Sequence, residues 1–142
     1  MPRIKIQLPE KSIASFTIPV RITDINYGNH VGNTAIVEII HDARARFLAQ
    51  HNFTELDAGG TALIMNELVV EFKNESFYMD LLEVKIFIGE ISKKSFEIFY
   101  LISTERGGTQ LIIANAKTGI ICYNYQEKKI NMLPEKLRSV LT

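Results

Sequence analysis

Between Asp24 and Asn33 the chain reads Asp24-Ile25-Asn26-Tyr27-Gly28-Asn29-His30-Val31-Gly32-Asn33, a run carrying one acid, three amides and an imidazole. A carboxylate accepts hydrogen bonds, an amide donates and accepts, and an imidazole can do either near neutral pH. The run stands immediately before the only long helix the sequence can make. The start of a helix leaves backbone N–H groups without intrahelical partners and carries a partial positive charge. Polar groups crowded there suit the holding of a polarised carbonyl or an oxyanion. Taken singly, each residue has a plainer role, since Asn, Asp and Gly favour turns and Asn33 is placed as a helix cap. A cap needs one side chain, and this segment supplies five.

The elements that must position this run follow from periodicity. Phe16 to Ile25 alternates loosely, with Phe16, Ile18, Val20 and Ile22 on one side, and reads as a first strand. From Asn33 to about His51 the pattern is helical: Ile36, Ile39, Ile40, Ala43 and Phe47 share a face, and Glu38, Asp42 and Arg46 share the opposite one. Val37, Ala45 and Leu48 widen the apolar arc, which predicts a helix covered on most sides. Asn52–Gly60 is a connecting loop with room for one helical turn. Four strands then follow at Leu63–Phe72, Leu82–Ile88, Phe96–Thr104 and Thr109–Tyr123. Ser92–Ser95 and Arg106–Thr109 are short enough for antiparallel hairpins. Pro134–Leu141 reads as a short terminal helix with proline at its start. One strand, one long helix and then a meander of strands is an α+β architecture, in which the sheet must curl around the helix.

The bulk composition narrows the function. A chain of 142 residues is expected to form one domain, spanning 1–142, with a core of its own. Lys+Arg and Asp+Glu both number 16, so the formal net charge is zero, which gives no electrostatic reason to bind nucleic acid or an anionic membrane. The single cysteine, Cys122, lies in the apolar run Ile120–Tyr123 and reads as a packed core thiol. The N-terminal Met1–Lys5 stretch lacks the apolar core of a secretory signal, and no apolar run approaches membrane-spanning length, so a soluble cytoplasmic protein is expected. The sequence holds no Gly-rich phosphate loop, no nucleotide fingerprint and no metal-spaced set of histidines; no cofactor is expected.

The order of elements and the Asp24–Asn33 run resemble the hot-dog-fold acyl-CoA thioesterases of the 4-hydroxybenzoyl-CoA thioesterase-like family. That family's signature runs Asp-x-Asp, two residues, Gly-His-Val-Asn-Asn and then a helix ending near Glu-Ala-Arg; here the helix carries Asp42-Ala43-Arg44. Further matches are the basic hairpin Ser92-Lys93-Lys94-Ser95-Phe96, Tyr78-Met79-Asp80 where the family has Tyr-Gly-Asp, and Ala116-Lys117-Thr118-Gly119 in the last strand. The departures are as specific as the matches. The family's second Asp, its usual base or nucleophile, falls on Asn26, an amide that cannot take a proton at neutral pH. Asn29 stands for the Gly before the His, and Gly32 for the first Asn of the pair.

The resemblance implies a hot-dog fold, a thioester substrate, and a homodimer or a dimer of dimers. It also implies candidate roles. Asp24 is either a turn anchor or the general base for the attacking water. Asn26 orients that water or holds the carbonyl oxygen. His30 sits in a turn rather than on an apolar face; it contributes to the site or locks the loop. Asn33 offers its side chain as a cap and its backbone N–H to the carbonyl oxygen. Lys93, Lys94 and Ser95 are candidate contacts for CoA phosphates. His41 shares a face with Val37 and Leu48 and reads as a core or interface histidine. Glu67 and Glu75 read as solvent-facing, with a partner subunit's site as the other possibility. Two functions follow: a metal-free acyl-CoA or acyl-carrier-protein thioesterase, or a non-hydrolytic binder of acyl thioesters on the same fold, for which Asn26 is the best support.

Overall fold

The computed structural model describes residues 3–142; Met1 and Pro2, part of the N-terminal stretch read above, lie outside the described residues. Strand β1 spans Ser12–Pro19, earlier than the Phe16–Ile25 expectation. After Pro19 the Val20 N–H bonds to the Asp80 carbonyl at 3.0 Å, and the chain then leaves the sheet for a 3-10 turn at Ile22–Asp24. Once the strand ends its two-residue period ends too. Ile22, expected in line with Ile18 and Val20, is therefore exposed.

Helix α1 covers Asn33–Gln50, as the periodicity predicts, and buries Ile36, Ile39, Ile40, Ala43 and Phe47 together with Leu48. Its outer face is open: Glu38, His41, Ala45 and Arg46 are exposed, so within one chain α1 is covered on one side rather than most. His41 is not a core residue. Its Nε2 lies 2.9 Å from Glu55 Oε1 at the surface. The Asn52–Gly60 connection contains no helical turn.

Strands β2 (Ala62–Phe72), β3 (Leu81–Ile91), β4 (Ser95–Arg106) and β5 (Thr109–Asn124) match the four predicted runs, and a two-residue β6 (Lys129–Ile130) and helix α2 (Glu135–Leu141) complete the chain. β3, β4 and β5 form a meander through two tight turns. Gly107 and Gly108, at φ +62° and +79°, supply the positive φ pair that a right-twisted two-residue hairpin requires. β2 is not beside β3, however. The order is β1-β3-β4-β5-β2, all antiparallel, so β2 crosses to the far side and leaves a long edge without a partner among the described residues. The inner face carries Leu82, Val84 and Ile86, then Ile98 and Ile102, then Ala114 and Ala116, all fully buried in one cluster with the α1 stripe. The result is an α+β hot-dog fold: a curled antiparallel sheet wrapped on one long helix.

Candidate active site

The polar run folds into a tight loop closed by its own backbone. The Asn26 N–H donates to the His30 carbonyl (2.9 Å), the Asn29 N–H to the Asn26 carbonyl (3.1 Å), and Ile25 and Val31 form a single bridge. Asn26 Oδ1 accepts the Gly28 N–H at 2.9 Å, an Asx turn that uses its side-chain oxygen locally. Asn29 takes φ +66°, a left-handed conformation that Asn tolerates better than most residues. Asp24 is buried beneath the loop. Its carboxylate accepts the Arg21 backbone N–H at 2.8 Å and pairs with Arg21 Nη2 at 3.1 Å, while its carbonyl accepts the Gly32 N–H. Those bonds anchor the loop to the end of the 3-10 turn.

His30 is the loop's one open proton acceptor. Its Nδ1 lies 3.2 Å from the Val31 carbonyl. A carbonyl only accepts, so Nδ1 carries the hydrogen, and in the neutral ring Nε2 is left with its lone pair. Nε2 faces Glu75 Oε1 at 3.9 Å, too long for a direct hydrogen bond. A side chain at position 28 would meet Asn26 Oδ1 at 3.2 Å and His30 Nε2 at 3.4 Å, so glycine there keeps Nε2 approachable.

The helix starts differently from the expectation. Gly32, not Asn33, is the N-cap; its backbone is extended (φ −73°, ψ 159°), and no side chain caps the helix. Asn33 is the first helical residue, with an exposed side chain. The bond closing this turn runs from the Ile36 N–H to the Gly32 carbonyl, so the N–H groups of Asn33, Thr34 and Ala35 have no backbone partner. Beside them opens a cleft of about 210 Å³ lined by His30, Asn33, Ile36, Phe72, Glu75 and Ser76, among others. Sequence reasoning missed Ser76, because a serine in a loop carries no signal of burial. It is 2% exposed, and its hydroxyl has no hydrogen-bond partner among the described residues. A buried polar group left in that condition costs about 1–3 kcal/mol.

Residues 20–141 match the sequence profile of the thioesterase-like superfamily. The chain belongs to that family. Among solved structures it resembles a 1,4-dihydroxy-2-naphthoyl-CoA thioesterase from Synechocystis (21% identity over 89% of this chain and 93% of that one, TM-score 0.79). It also resembles a hypothetical protein from Staphylococcus aureus in complex with CoA (16% identity, 97% and 85%, TM-score 0.80). A third likeness is to a 4-hydroxybenzoyl-CoA thioesterase variant bound to 4-hydroxybenzoyl-CoA (14% identity, 91% and 98%, TM-score 0.79). These likenesses carry the fold. No curated protein matches the chain by sequence. Family membership puts the chain among the thioester hydrolases.

In this member of the thioesterase-like superfamily, the second set of candidate residues lies in the expected hairpin, apart from the cleft. Lys93 and Lys94 are exposed at the β3–β4 hairpin, where the Ser92 N–H meets the Ser95 carbonyl at 2.8 Å. Ser95 pairs with Ile121, whereas the cleft is lined by Ile113 of the same strand. Those positions are roughly 26 Å apart at ~3.3 Å per strand residue. One chain therefore does not bring Lys93, Lys94 and Ser95 together with Asp24, Asn26, His30 and Asn33.

A separate polar group lies under α1. Arg44, buried, reaches Glu55 Oε1 with Nε (3.4 Å) and the Tyr100 hydroxyl with Nη1 (3.3 Å), and that hydroxyl meets Thr118 Oγ1 at 2.8 Å. Burial raises the Tyr100 phenol above its ordinary range, against the pull of the Arg44 charge. Cys122 is the packed core thiol that the sequence suggested; burial pushes it up to about 11. Glu67 faces solvent and pairs with Lys117 at 2.9 Å. No helix of the described residues is long and apolar enough to cross a membrane.

Proposed function

We propose that residues 1–142 form a single-domain acyl-CoA thioesterase that works without a metal, releasing free acid and thiol. The observation that carries this reading is the start of α1: an 18-residue helix without a side-chain cap, with unpartnered N–H groups beside a cleft and an open imidazole nitrogen. The thioester oxygen sits against the Asn33 N–H, where the helix charge favours growing negative charge. His30 Nε2 takes a proton from water as the water oxygen bonds to the carbonyl carbon. The tetrahedral intermediate then collapses, its C–S bond breaks, and the Nε2 proton goes to the departing thiolate. With its carboxylate committed to Arg21, Asp24 anchors the loop in this scheme, and Asn26 shapes it.

The distant hairpin supports a homodimer or a dimer of dimers. Antiparallel pairing of the open β2 edge with the same edge of a second copy sets the copy's Ala62 end beside this chain's Phe72 end. That brings the copy's Lys93–Ser95 hairpin toward the cleft, where the lysines meet CoA phosphates as point charges. Thiol release measured over a panel of aliphatic and aromatic acyl-CoA thioesters is the test. Turnover by the wild type, reduced about 10²–10⁴-fold in His30→Ala, is expected. A wild type inert on every thioester would leave a binder of acyl thioesters, not an enzyme.

A further inference from the structure

We infer that Ser76 Oγ is a second hydrogen-bond donor to the thioester carbonyl oxygen, acting with the backbone N–H at the start of α1. The inference rests on the proposed thioester site but assigns a residue that no motif of the sequence marks. Of the other polar side chains along this cleft, Asn33 and Glu75 are exposed to water, and the remaining donors are held in part or in full. Asn74 Nδ2 donates to the Ile112 carbonyl at 2.7 Å, Lys73 Nζ pairs with Glu71 at 3.0 Å, and His30 Nδ1 is held by the Val31 carbonyl. Ser76 is held only through its backbone, where its carbonyl accepts the Val31 N–H at 2.8 Å. That bond ties it to the residue two before Asn33, so its position follows the helix start rather than the mobility of a loop.

The hydroxyl itself has no partner and is shielded from bulk water. In folded proteins such groups are rare, because nothing in the fold offsets their desolvation. A hydroxyl reorients about a single bond, between staggered positions. Ser76 lines the same cleft as Asn33, so its proton can turn toward an electron-rich oxygen bound there. A thioester carbonyl is such an oxygen, and it gains charge as water attacks. The donor is therefore used most strongly in the transition state. This pairing of one side-chain and one backbone donor is also consistent with a loop that has an amide, Asn26, where a carboxylate would have repelled the oxyanion.

The test separates a ligand role from a structural one. Ser76→Ala deletes an unpartnered hydroxyl, so its melting temperature should not fall, while kcat on the best acyl-CoA of the panel drops about 10²-fold and KM holds. Ser76→Cys, nearly the same size with a weaker donor, should fall between. Binding supplies a readout that needs no turnover: a ketone analogue with methylene in place of the thioester sulfur, and a thioether without the carbonyl. Ser76→Ala should weaken the ketone analogue about five- to tenfold and leave the thioether unchanged. An active wild type with unaltered kcat and ketone affinity in Ser76→Ala overturns the inference and leaves the thioesterase reading standing. An inert wild type whose ketone affinity still depends on Ser76 does the reverse. A lower melting temperature with equal losses for both analogues makes Ser76 a packing residue and overturns the inference.

Discussion

The two polar regions along α1 differ in how far their groups are satisfied by the protein itself. Toward the helix C-terminus, Arg44, Glu55, Tyr100 and Thr118 close a chain of contacts from the surface to the sheet, and His41 adds an outer contact to Glu55. At the N-terminus, the Asn33–Ala35 N–H groups, His30 Nε2 and the Ser76 hydroxyl are left open. The first arrangement lowers the energy of the folded chain. The second leaves one buried hydroxyl unsatisfied beside groups that only water satisfies, which is the condition of a site for a ligand. Charge or polarity alone would not separate them: the Arg44 region carries more formal charge and is the more fully hydrogen-bonded of the two.

The largest effect that tests this contrast is on rate. Proline is tolerated at the first helical position, where its missing N–H breaks no intrahelical bond. The extended Gly32 (ψ 159°) already has the backbone that a following proline demands. Asn33→Pro therefore removes one donor with the helix intact. We expect kcat to fall ~10²–10³-fold with little change in melting temperature. Asn33→Ala, which keeps the N–H, should retain most activity. Equal losses in both variants would assign the effect to the side chain.

Next comes stability at the other end. Arg44→Ala leaves Glu55 without its buried partner and opens space against Tyr100, and should cost roughly 3 kcal/mol in denaturant unfolding. At a temperature where the variant is folded, kcat should stay near wild type. A variant as stable as wild type but catalytically dead would show that the contrast is drawn wrongly.

An alkaline transition of similar size follows from burial further along β5, the strand that carries Thr118. The Cys122 thiol rises from 9.0 to about 11 in the folded chain, chiefly through burial. A raised acid holds its proton more tightly when folded, so its contribution is complete below pH 9 and is lost as pH rises toward 11. Stability should decline across that window by up to roughly 3 kcal/mol, with Tyr100 acting in the same direction. Cys122→Ala should flatten part of the decline in urea titrations at successive pH values.

How much of this was legible in the sequence depends on what each residue's pattern encodes. The Asn33–Gln50 helix and the β3–β4–β5 meander were readable, because period 3.6 and period 2 report burial directly. The place of β2 was not: pairing partners depend on long-range closure, and Leu63–Phe72 pairs as well with one neighbour as with another. The first strand was misplaced because Ile22 continues its alternation on paper after Pro19 has ended it. At the site, the loop was visible as a cluster of polar residues. The cap at Gly32 instead of Asn33 was hidden, since a cap is a matter of one residue's ψ. His41 shared an apolar face in projection, yet it lies on the exposed side of the arc. Ser76 was invisible because one serine in Lys73–Asp80 looks like any other loop residue.

The smallest effect concerns strain in that same loop. Met79 lies at φ +79° and is 75% exposed, so no packing holds its side chain in a conformation that costs an ordinary residue roughly 1–2 kcal/mol. Asp80 maintains it. Its carboxylate accepts the Phe77 N–H at 2.9 Å and pairs with Arg106 Nη2 at 2.6 Å. Glycine relieves the strain but adds freedom to the unfolded chain, which takes back roughly 0.5–1 kcal/mol. Met79→Gly should then stabilise the protein by only ~0.5 kcal/mol, a shift readable in paired urea curves. Its bearing on the cleft is indirect but specific. If the strain only closes a turn, kcat and ketone affinity are unchanged in Met79→Gly. If it presses the Glu75–Phe77 segment against the helix start, the variant is more stable and yet slower, and the open end of α1 is held open at a cost that the closed end does not bear.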